Sequence, residues 1–232
     1  VTNAFTLKVG NGKASTGTIN ITSGNFIQTM RTMRIGQGEN SIGTVKVNGG
    51  NFYDLVNTTS PKGIYIGGYP SGTACTGAKA YFNVISGNVV DDNDFFVGCS
   101  NVVAESKVTI SGGTAQLRSL DLGYGYCATG KVEITEGTLT VTNALNIGNA
   151  TAAIGEMTMS GGTLNVTNLY VGATANSTGT VSVTSGTINV RAMNIGHNSV
   201  GTMDVSGGTV TVWGTDSYIG NRESVAGSKL TV

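Results

Sequence analysis

The residue types able to do chemistry concentrate in one stretch of this 232-residue chain. Asp91, Asp92, Asn93 and Asp94 run consecutively. Aligning NFYD from Asn51, NVVD from Asn88 and TAQL from Thr114 stacks Asp54 on Asp91 at one corner and sets Asp92 beside Arg118. Acids so placed suit three roles: solvated turn residues, a calcium site built from Asp91, Asp92 and Asp94, or acid–base work on a polysaccharide by Asp54, Asp91 and Asp92. Catalysis also needs a proton donor of suitable pKa, and the single histidine, His197, lies far along the chain in a surface loop. No catalytic residue is therefore assigned, and no cofactor beyond a possible calcium ion.

Aromatic residues gather in the same stretch. Phe52, Tyr53, Tyr65, Tyr69, Tyr81, Phe82, Phe95 and Phe96 fall within 45 residues. They serve either to fill a wider core or, through Tyr53, Tyr65, Tyr69 and Phe96, to offer ring faces to a partner surface or a sugar. Cys75, Cys99 and Cys127 follow in three successive repeats, so Cys99 could bond to Cys75 or to Cys127, with one thiol left over. Neither a zinc spacing nor a GxGxxG or GxxxxGK[ST] phosphate loop is present. Five Asn-x-Ser/Thr sites, at Asn20, Asn57, Asn149, Asn165 and Asn176, arise naturally in a chain this rich in threonine and asparagine.

What must position these groups is an internal repeat. An aliphatic residue followed by glycine recurs at Val9, Ile35, Ile66, Val97, Leu122, Ile147, Val171, Ile195 and Ile219, with spacings of 26, 31, 31, 25, 25, 24, 24 and 24 residues. Each repeat holds three short alternating runs, as in GTVSV, SGTINV and AMNIG between Gly179 and Gly196. Alternation turns Val181, Val183, Ile188, Val190, Met193 and Ile195 inward, and Thr180, Ser182, Thr187, Asn189 and Asn194 outward. Three runs per period fit one coil of a parallel β-solenoid, each strand pairing with its counterpart about 4.8 Å above and below. The expectation is a single domain over 1–232, about nine coils of roughly 24 residues, with enlarged, aromatic-rich coils at about 43–105. The residues Ile35, Ile66, Val97, Leu122, Ile147, Val171, Ile195 and Ile219 should form one inward ladder, with corner glycines after them taking φ > 0. The chain should open and close mid-coil, uncapped, with unpaired edges open to further strands.

Composition narrows the function. Thirteen basic residues balance thirteen acidic ones, which excludes a basic nucleic-acid binder. Apolar runs are too short for a transmembrane helix, and the expectation is that no signal peptide precedes Val1. Hydrophobic residues at 39% are too many for disorder.

The units SGGTLNVTNLYVG (160–172), SGGTVTV (206–212), ITEGTLTVTNALNIG (134–148) and TISGGT (109–114) resemble the Gly/Thr-rich β-helix repeats of large secreted or cell-surface bacterial proteins, including autotransporter-type passengers. The resemblance covers the whole chain except for the irregular second and third coils. It implies a right-handed, three-sided parallel β-helix, extracellular or on the cell surface. The function expected is non-enzymatic: a rod that stacks end to end into a filament, or the stalk of a larger surface protein, with itself as partner. The alternative is an adhesin binding a glycan or surface receptor through residues 52–96. A polysaccharide lyase or hydrolase is a further reading. So is an ice-binding protein, suggested by the outward files Thr138/Thr140, Thr163/Asn165, Thr187/Asn189 and Thr209/Thr211.

Overall fold

In the computed structural model the repeats wind into an all-β parallel solenoid of roughly eight turns, with no helix among the described residues. Nine aliphatic-Gly markers enclose only eight intervals, which accounts for one turn fewer than expected. The structure describes residues 2–3, 6–29, 32–55, 63–68, 76–100, 105–214, 216–220 and 227–232.

Each turn pairs in parallel with the turns on either side. Thr180 lies between Glu156 and Thr202, Asn189 between Asn165 and Thr211, and Asn194 between Tyr170 and Tyr218. The three runs are not separate short strands, however. Five continuous strands of 18 or 19 residues, Lys79–Val97, Glu105–Leu122, Thr129–Ile147, Ile154–Val171 and Thr178–Ile195, each carry all three. Their corners are register shifts, as between Ile134 and Glu136 or between Val141 and Leu145. An extra residue at a bulge bends a strand while leaving its flanks paired, so the Ser-Gly corners turn the chain without ending the ladder.

Two glycine positions in each regular turn make this winding possible, for different reasons. Gly172, after the aliphatic marker, has φ +69, a left-handed conformation that glycine adopts without a Cβ penalty. Gly179, at the start of the next strand, has no such φ. Instead a Cβ there would lie 2.3 Å from Gly172 N and 2.6 Å from Ile147 O.

The apolar residues of the interior form one continuous cluster. Ile35, Ile66, Val97, Leu122, Ile147, Val171 and Ile195 are all 0% exposed, forming the expected ladder. Ile219 is the exception at 53%: it pairs with Ile195, and no described strand lies beyond it. The inward assignments Val181, Val183, Ile188, Val190, Met193 and Ile195 hold, all being buried. In the enlarged turns the aromatic residues divide by alternation. Phe52, Phe82 and Phe95 turn inward and are buried, with edge-to-face contacts of 5.4 Å and 5.1 Å from Phe82 to its two neighbours.

Candidate functional site

Tyr65 and Phe96 stand outward on adjacent turns, in one file with Arg34, Asp121, Asn146, Tyr170, Asn194 and Tyr218. The expectation that their rings face solvent is corrected: Tyr65 is 5% and Phe96 6% exposed. The two stack at 4.7 Å, and Tyr124, from the connection of the following turn, folds over them at 4.1 Å from Phe96. Cys99 completes this small cluster beneath the connection. A satellite apolar cluster under a folded-back loop therefore replaces the proposed ring platform. Tyr53 is half-buried on the neighbouring run, and Tyr69 lies outside the described residues.

The Cys99–Cys127 pairing is corrected by the same connection. Cys99 sits two residues after its marker valine and is buried, its Sγ directed at the Phe96 carbonyl oxygen. Cys127 sits five residues after its marker leucine, solvent-exposed, with φ 55. Equal turns do not bring unequal positions together, and the two are not bonded to each other. Cys75, the other candidate partner, lies outside the described residues.

The carboxylates divide between the two sides of the wall. Asp54 does pair in register with Asp91, and Gln28 with Asp54 below it. The corner after Asp91 shifts the register so that Asp94 meets Ser119. Arg118 consequently bonds Asp94 rather than Asp92. Asp92 is exposed, so Asp91, Asp92 and Asp94 do not converge as a calcium site. Among the described residues no three histidine, cysteine or acidic side chains do. Gln28, Asp54, Asp91 and Asn93 are instead buried inside, at 1% exposure or less. They form a polar column that becomes Leu117 on the next turn. Burial pushes the Asp91 carboxyl up to about 7; the Asn93 N–H at 2.8 Å and Arg118 oppose this, while Asp94 and Asp92 add to it. The inward position of Asn93 was open to sequence reasoning, since it alternates with the core residue Phe95; only the corner hid it.

A second acid is perturbed on the outer file. Asp121 accepts a hydrogen bond from Asn146 Nδ2 at 2.6 Å, yet burial lifts its carboxyl to about 6, with Asp94 adding to the rise and the Asn146 and Asn149 side chains opposing it. A folded pKa above the ordinary 3.8 means that the native state favours the protonated acid. The ionised form then costs stability above about pH 6, and the cost disappears as pH falls below about 4. About two units correspond to on the order of 2–3 kcal/mol. Asp121→Asn, which copies the Asn146 beside it, is expected to raise stability by up to that amount at pH 8 and to be neutral at pH 4. Urea unfolding of both proteins at the two pH values measures it; an equal difference at both would refute the assignment.

Outward threonines keep their expected register: Thr138, Thr163, Thr187 and Thr209 form one file, and Thr140, Asn165, Asn189 and Thr211 the next. Asn189 donates to Asn165 across the turn at 2.9 Å. Beside this file a shallow groove of about 250 Å³ is lined by Thr140, Thr142, Asn165, Thr167 and Asn189 and ends at the exposed Trp213. Sequence reasoning did not single out Trp213. His197, in the connection after Ile195, is half-buried against Tyr170 at 4.6 Å.

No family model matches the chain, and no curated protein or solved structure matches it.

Proposed function

We propose that the chain is a non-enzymatic structural element, a right-handed, three-sided rod exported from the cell. It serves either as the repeating unit of an extracellular fibre or as the stalk of a larger surface protein. The observation that carries this reading is the unbroken ladder of marker residues. Seven successive marker residues stack at 0% exposure, and every turn is hydrogen-bonded to its neighbours through the main chain. Such a wall is stiff without any ligand, and at about 4.8 Å per turn its eight turns span roughly 40 Å. On the last described turn Val212 and Ile219, which continue the inward files of Val190 and Ile195, are exposed to solvent. Further turns stacked there, whether of the same chain or of a second copy, would cover this apolar surface.

Two further observations favour the rod over its rivals. Tyr124 covers the ring faces that an adhesin would use at Tyr65 and Phe96. The paired carboxylates Asp54 and Asp91 face the interior, where a polysaccharide cannot reach them. Negative-stain microscopy of the purified protein tests the fibre form. Rods of constant width that lengthen with concentration are expected, and strictly monomeric particles at every concentration and salt level would eliminate it.

A further inference from the structure

The interior polar column is the least expected feature of the wall. On the regular turns the position occupied by Asp91 is held by Leu117, Val141, Val166 and Val190, all buried apolar side chains. In the two enlarged turns it holds Asp54 and Asp91, and in the turn before them Gln28, with Asn93 two residues after Asp91 and on the same inward side. Asn93 is 0% exposed, and neither its Nδ2 nor its Oδ1 has a hydrogen-bond partner. Asp91 uses Oδ1 to accept the Asn93 N–H, while Oδ2 is unsatisfied. Buried polar atoms left so are rare and costly, and they call for an explanation. Arg118, whose charge acts on Asp91, is held on the outer side by Asp94.

We propose that Asp54, Asp91 and Asn93 form an internal site for a hard divalent cation, calcium in the first instance. The donors are all oxygen: two carboxylates, the Asn93 amide oxygen and, one turn below, the Gln28 amide oxygen. Carboxylates separated by one turn, about 4.8 Å, can both reach an ion between them at about 2.4 Å. A divalent charge offsets the Asp91 carboxylate, whose Oδ2 and the Asn93 amide oxygen each gain the partner they lack. The ion pins together the two enlarged turns, where the repeat is least regular.

Thermal unfolding of chelator-treated protein, with calcium chloride or magnesium chloride added, tests the site. Calcium at about a hundredfold excess over its dissociation constant is expected to raise the midpoint by roughly 5–10 °C, and magnesium to do much less. Asp54→Asn and Asp91→Asn should abolish the shift, whereas Asp92→Asn and Asp94→Asn should keep it. Should Asp91→Asn fail to fold, Asp91→Leu, which copies Leu117, supplies the same arm. A parent protein indifferent to calcium, a shift that survives loss of Asp54 or Asp91, or a shift lost with Asp92 would each overturn the proposal. So would a parent whose midpoint rises only with acid, which would mark a proton shared between the two carboxyls.

Discussion

Gly179→Ala should lower unfolding stability by about 3–5 kcal/mol, while Ser182→Ala on the same strand should change it by no more than about 0.5 kcal/mol. The reason lies in what occupies the space beside the Gly179 Cα. Gly172 N donates to Ile147 O at 2.9 Å, the bond that closes the end of one turn onto the turn below. An added Cβ would sit 2.3 Å from that nitrogen and 2.6 Å from that oxygen. Both atoms belong to main chain fixed by the ladder, so neither can yield as a side chain tip would. Gly155, beside Gly148 N, and Gly201, beside Gly196 N, face the same obstruction on neighbouring turns. The methyl must therefore break the bond, displace the turn, or both. Denaturant titrations of the two variants and the parent decide it. A Gly179→Ala midpoint level with that of Ser182→Ala would show that the close approach has no energetic consequence.

This glycine illustrates where the sequence could be read and where it could not. A strict recurrence of aliphatic residues at near-constant spacing permits few winding schemes, so the parallel ladder, the inward faces and the Asp54–Asp91 stacking were all legible. Glycine at corners was legible too, because the φ requirement is local. The Gly179 requirement is not local: it comes from a bond between residues 7 and 32 positions earlier in the chain. Tyr65 and Phe96 failed for a similar reason. Their outward side followed from alternation, but their exposure depended on Tyr124 folding back from the next turn, and no periodicity specifies a loop's path. The Arg118 partner was missed because one bulge moves every following register position, and bulges leave no clear mark in composition.

Phe82→Ala is the second large effect expected, about 3–5 kcal/mol, and its location within the molecule is as informative as its size. Phe82 is 1% exposed and lies in register between Val45 and Val108, smaller residues that occupy the same inward position on adjoining turns. Its ring meets Phe52 and Phe95 edge-on at interplanar angles of 90° and 88°. Phe52 in turn stacks on Phe26 at 5.4 Å. Removing the central ring leaves a cavity that the flanking valines cannot fill, because the ladder holds their main chain in place. Phe82→Leu, which keeps most of the volume, should recover the greater part of the loss. In a stacked array each turn contacts only its neighbours, so the damage should stay local. Amide hydrogen exchange is expected to accelerate at Val45, Val84 and Val108 in Phe82→Ala while Val181 and Val183 keep their protection. Uniform acceleration along the whole chain would instead mean that the solenoid opens as a single cooperative unit, and the enlarged turns would lose their standing as a separable region of the rod.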